Sequence, residues 1–92
     1  MGNMAKFASL GEGAVYAAKQ LEAYAKTDSD RRKAAKIYEV AAKNFTYAAR
    51  AKEATASNID SLVDEADACW KKAKELRAKK KLGFFSRLLN SR

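Results

Sequence analysis

This sequence predicts an all-α fold, three antiparallel helices in up-down-up order, and three observations carry that expectation. Apolar residues recur at three- and four-residue steps along most of the chain, as on one face of a 3.6-residue helix. Short polar stretches near Thr27–Asp30 and Ser57–Asn58 interrupt the pattern twice. The composition holds twenty alanines, four glycines and no proline, which suits close-packed helices rather than a turn-rich β-sandwich.

The first helix is expected at about residues 10–26. Ser9-Leu10-Gly11-Glu12 has the S-x-x-E form of a capping box, although Gly11 and Gly13 weaken the first turn. Leu10, Ala14, Ala17, Ala18, Leu21 and Ala25 form its inner stripe, widened by Val15 and Tyr16. Thr27-Asp28-Ser29-Asp30 is short and rich in N-cap formers, so it favours an antiparallel hairpin. The second helix is expected at about 30–54, with Ala34, Ile37, Tyr38, Ala41, Phe45, Ala48 and Ala49 facing inward. Ser57, three before Asp60, marks the next start.

The third helix is expected at about 58–81, with Ile59, Leu62, Val63, Ala66, Cys69, Trp70, Ala73 and Leu76 as its apolar positions. Three helices with short joints make a single bundle over residues 9–81, with a helical-repeat fragment or a self-associating hairpin as the alternatives. Gly83 is well placed as a C-terminal stop. Residues 82–92 then form a short, basic, amphipathic tail or the start of a linker. Three roles fit that tail: folding back on the bundle, touching a partner, or touching an anionic membrane.

Ninety-two residues make one small domain, or a module cut from a longer chain. Such a chain buries about 60–65% of its unfolded surface, which leaves little room for a central cleft. The chain has no histidine and one cysteine, which excludes histidine-based triads and the common zinc sites. None of its acidic side chains sits beside a companion nucleophile or a ligand cluster of recognisable spacing. Cys69 reads as a small buried residue. The expectation is a non-catalytic module with no cofactor and no metal. No run of 18 apolar residues exists, so no membrane span is expected, and no signal-peptide core follows the start. Lys6 stands where myristoylation of Gly2 calls for serine or threonine.

The charge is concentrated near one end. Residues 1–70 carry ten basic and ten acidic side chains. Residues 71–81 carry seven basic side chains against Glu75 alone, and the whole chain has a formal net charge of +8. A local basic cluster attracts acidic peptides, acidic protein tails or anionic lipid. A solvated helix end explains the same lysines, each favoured there by roughly 0.3–1 kcal/mol at low salt.

The stretch Ala14–Tyr38, AVYAAKQLEAYAKTDSDRRKAAKIY, resembles the first helix, joint and second-helix start of the microtubule-interacting and trafficking (MIT) family. Ala34 and Tyr38 fill that family's Ala-x-x-x-Tyr unit after the joint, and Phe45 stands at a position often apolar there. The resemblance covers roughly residues 12–80 and rests mostly on alanines and helix spacing. It implies a three-helix module that binds short C-terminal motifs of ESCRT-III proteins. The motif docks as an amphipathic helix between the second and third helices, or as an extended strand between the first and third. Such modules sit on membrane-remodelling ATPases, on spastin-like severing enzymes, and on proteases, deubiquitinases and adaptors.

Trp70 stands at the family's groove leucine, Cys69 at its tyrosine, and Lys71 and Lys74 at its acidic positions. Those lysines repel the basic residues of a standard helical motif and favour a more acidic one. The expected contact set is Leu62, Val63, Ala66, Trp70, Lys71, Ala73, Lys74 and Arg77, with Lys43 and Lys52 from the second helix. Tubulin's acidic tails are an alternative partner. Anionic membrane is another, through Lys79, Lys80, Lys81, Phe84, Phe85, Leu88 and Leu89. Nucleic acid is disfavoured, since no reading motif accompanies the lysines. A monomer is expected, cytoplasmic and peripheral at endosomal or other remodelling membranes, or on microtubules.

Overall fold

The computed structural model describes residues 3–90, with side chains from residue 3 through residue 78. Helices α1 (Asn3–Ala23), α2 (Asp28–Ala49) and α3 (Ala56–Asn90) run antiparallel in up-down-up order, with no strand among the described residues. α2 is central. It packs along both α1 and α3, while α1 and α3 approach each other only sparsely.

The sequence of α2 explains that position. Ala34, Ala35, Ala41, Ala42 and Ala48 are all buried, so two neighbouring rows of alanine admit a helix on either side. Tyr38 and Phe45 fill the space between the rows, and Phe45 is the largest fully buried side chain. Its truncation to alanine would cost about 3–5 kcal/mol. From α3, Leu62, Ala66, Cys69, Ala73 and Leu76 complete the core. From α1, Gly11 and Ala18 are buried, flanked by Met4, Phe7, Ala8, Ala14 and Val15.

α1 departs from the expectation at its start and in its rotation. It begins at Asn3 rather than near Leu10, so Ser9 and Glu12 cap nothing and Gly11 lies within the helix. The cap comes from a distant residue: Glu53, just beyond α2, accepts the Met4 backbone N–H at 3.0 Å. That bond satisfies one of the free donors of the first turn. Starting earlier brings Phe7 and Gly11 into line with Ala18, and this row faces α2. Leu10, Ala17 and Leu21, expected to face inward, are exposed instead.

Local hydrogen bonds set the joints. Asp30 accepts the backbone N–H groups of Lys26 (3.1 Å) and Thr27 (3.3 Å), and Thr27 Oγ1 accepts the Asp30 N–H at 3.1 Å. This capping box starts α2 and ends α1 at Ala23, three residues earlier than expected. α2 ends at Ala49, short of the expected Ala54, because successive bonds from Ala51 to Ala48 and from Ala54 to Ala51 tighten the chain into turns. α3 starts on Thr55 and Asn58, which exchange hydrogen bonds, rather than on Ser57 and Asp60. Its helix continues through Gly83, the expected stop, and no positive-φ glycine is found among the described residues. A glycine ends a helix by turning left-handed, and without that turn it is only a weak helix former.

Candidate functional site

Beside the buried row of α3 lies a second row, Ile59, Val63 and Trp70, that remains exposed. Three- and four-residue spacing places it along the outer edge of the α2–α3 seam. Trp70 is 39% exposed and Val63 43% exposed. Trp70 joins Lys43, Thr46 and Tyr47 of α2 around an open pocket of about 330 Å³. Tyr47 also packs on Phe7 of α1, with ring centroids 5.4 Å apart and planes inclined at 56°. Aromatic side chains thus cross from α1 over α2 to α3.

The expected contact residues divide into three groups. Val63, Trp70, Lys43, Lys52, Lys71 and Lys74 are exposed. Leu62, Ala66 and Ala73 are buried in the core. Arg77 is exposed, and its Nε donates to Glu39 Oε2 at 2.9 Å, tying α3 to α2. Lys79, Lys80, Lys81, Phe84, Phe85, Leu88 and Leu89 lie outside the residues whose side chains are described. Lys43 lines the pocket, and along the exposed edge of α3 Lys71 and Lys74 follow Trp70 while Asp60, Asp64 and Asp67 precede it, so the edge is basic toward its C-terminal end and acidic toward its N-terminal end. Thr46 and Tyr47 were not among the expected contacts. An aromatic standing off the inner stripe of a helix was the signal for Tyr47.

A second groove separates α1 from α3, with Tyr38 and Phe45 of α2 beneath it. Its walls mix both signs, Glu12 and Glu65 against Lys19 and Lys72. Glu22 bridges it: one carboxylate oxygen accepts the Tyr38 hydroxyl at 2.9 Å and the other meets Lys72 Nζ at 2.7 Å. Cys69 lines this groove but is itself buried. Burial, with the charge of Glu65, raises its thiol pKa against the opposing pull of Lys19, so it stays a protonated thiol and a poor nucleophile. Among the described residues no group of three His, Cys, Asp or Glu side chains could hold a metal ion, and no helix is long and apolar enough to cross a membrane.

Three antiparallel helices with one half-exposed, lysine-flanked aromatic edge define a small helical bundle with the character of a protein-interaction module. Comparison of the chain with protein-family models, curated proteins and solved structures gave no match in any of the three.

Proposed function

We propose that this chain is a non-catalytic docking module of the MIT type, which binds a short C-terminal motif of an ESCRT-III-type protein and thereby recruits a larger protein to a remodelling membrane. The motif lies as an acidic amphipathic helix along the α2–α3 edge. The carrying observation is Trp70, 39% exposed beside Lys43, Thr46 and Tyr47 of α2. An aromatic anchor with a charged rim is the usual composition of an interface hot spot. Lys43 beside Trp70, with Lys71 and Lys74 further along α3, supports an acidic motif at the C-terminal end of this edge. The helix order and the Ala34–Tyr38 unit after the joint support the family reading.

A titration of isotope-labelled domain with ESCRT-III C-terminal peptides tests this. Saturable shifts of the Trp70 indole and of α2 and α3 amides are expected, with micromolar affinity for so small a contact. Added salt weakens the binding, because the lysine rim is screened. Trp70→Asp should remove the binding and leave the far-UV circular dichroism unchanged, since the residue lies outside the core. A variant that unfolds makes Trp70 a structural residue and overturns the assignment. Silence toward these peptides, with saturable shifts from tubulin-tail peptides or anionic vesicles, transfers the function to those partners.

A further inference from the structure

The charges of residues 1–70 cancel in number, yet the fold sorts them by sign. Helix α2 buries its alanine rows together with Tyr38 and Phe45. On its opposite side, steps of four and three residues run through Arg32, Lys36, Val40, Lys43, Tyr47 and Arg50, all exposed, with Lys33 beside them. The row is about 27 Å long at the helical rise. Every exposed charged residue between positions 31 and 50 is basic. The carboxylates of α2 are engaged inside the bundle: Asp28 pairs with Arg31, Asp30 caps the helix, and Glu39 takes Arg77. None of Arg32, Lys33, Lys36, Lys43 and Arg50 has an ion-pair partner among the described residues. We propose that this outer face of α2, with the bordering C-terminal end of the α3 edge, is an interfacial surface that lies on an anionic lipid membrane.

Shape and composition select a lipid surface. Helices α1 and α3 pack along α2 from either side, so the row crowns the bundle as a convex ridge. A peptide helix seats in a groove between helices, whereas a ridge meets a plane. Val40 is 42% exposed and Tyr47 50%, both in the midst of the cations. The phosphates of a duplex offer such side chains nothing. The boundary between headgroups and acyl chains accepts them, and accepts the alkyl stems of lysine and arginine as well. The cations stand about 6 to 10 Å apart along the axis, and mobile headgroups gather beneath any such spacing.

The α3 edge extends the same face. Trp70 shares a pocket with Lys43 and Tyr47, and Arg77 reaches Glu39. Counting on from Trp70 by seven, eleven, fourteen and eighteen residues gives Arg77, Lys81, Phe84 and Leu88, one register of a helix that continues to Asn90. The buried register of Leu62, Ala66, Cys69, Ala73 and Leu76 continues instead as Lys80, Gly83 and Arg87. Beyond the bundle, then, the apolar register passes from the core to the edge shared with α2. Asp60, Asp64 and Asp67 belong to the next register of α3, a step further from α2. Cations mixed with large apolar residues are the composition of a helix lying in a membrane interface.

The lipid contact does not rest on the peptide reading. Arg32, Lys33, Lys36 and Arg50 stand outside the contact set expected for a docked motif, and only the region of Lys43, Tyr47 and Trp70 is shared.

Cosedimentation of the whole chain with phosphatidylcholine vesicles, with and without phosphatidylserine, tests the proposal. Binding should require phosphatidylserine and weaken with added salt. Each cation at the surface adds about fivefold to partitioning, so Arg32→Gln, Lys36→Gln and Arg50→Gln combined should lower it about a hundredfold. A control that removes the same charge from exposed positions before α2, Lys6→Gln with Lys19→Gln and Lys26→Gln, should lower it less than about tenfold. Both variants should keep the far-UV circular dichroism of the wild type. The α2 variant should also keep whatever response the wild type shows to ESCRT-III peptides, which separates the two surfaces. Trp70, the chain's one tryptophan, should shift to the blue on vesicles and be quenched by lipids brominated in their acyl chains. Equal losses in the two variants, an unquenched Trp70, or binding of equal strength without phosphatidylserine overturns the proposal. So does retention on duplex DNA with no uptake on vesicles, which assigns the ridge to nucleic acid.

Discussion

Gly11 and Gly13 lie two residues apart on α1 and meet opposite surroundings. A Cβ on Gly11 would stand 2.9 Å from the Phe45 ring, closer than van der Waals contact. That ring is buried in the core, so any shift that admits the Cβ disturbs its packing. Gly13 faces open space. Gly11→Ala should therefore destabilise the domain by about 1–3 kcal/mol through overpacking. Gly13→Ala should stabilise it by up to about 1 kcal/mol through helix propensity alone. Urea unfolding reads both, and a shared sign would contradict the packing of α1 on Phe45. Composition and spacing identify both glycines as helix-weakening. They do not reveal which one permits a close approach, because that depends on a ring 34 residues away.

At the scale of the element, what was legible in the sequence followed the reach of the stabilising bond. The Thr27–Asp30 cap lies within four residues and is written in the residue types, so the first joint could be anticipated. The α1 start could not, because its cap is Glu53. The inner stripe of α2 was readable since both neighbouring helices press on it. The stripe read for α1 was apolar but not the buried one, since a helix packed mainly on one neighbour buries one row and leaves the other out. Trp70 was identifiable as an apolar position of α3, whereas the Lys43, Thr46 and Tyr47 side of its pocket required the α2–α3 seam. Thr27→Ala should cost about 1 kcal/mol, the usual loss at an N-cap. The same box holds the Asp30 carboxyl below its ordinary value of 3.8, chiefly through the Lys26 N–H. A depressed folded-state value stabilises above the ordinary pKa and is lost as pH falls through the depressed one. Acid unfolding of Asp30→Asn should therefore be less steep below about pH 4 than that of the wild type. Equal steepness in the two proteins would leave Asp30 no part in acid stability.

At the scale of the whole molecule, Glu22 ties all three helices together. α1 supplies its carboxylate, α2 the Tyr38 hydroxyl and α3 the Lys72 ammonium. The tie matters because α1 and α3 otherwise approach each other so little. Tyr38 is buried, and burial raises its pKa far above the ordinary 10.0, helped by the hydrogen bond to Glu22 and by that residue's negative charge. Below pH 10 the phenol is protonated in both folded and unfolded chains, so its contribution is complete. Above that value the unfolded chain releases the proton while the folded one retains it, and stability falls as pH climbs toward the raised value. Tyr38→Phe removes the hydroxyl and should cost about 1 kcal/mol at neutral pH. It should also flatten the alkaline decline, by at most about 1.4 kcal/mol per pH unit, the linkage limit for one proton. Parallel stability curves for the two proteins above pH 10 would mean that Tyr38 gives up its proton as readily folded as unfolded, and its hydroxyl would then have no part in the tie.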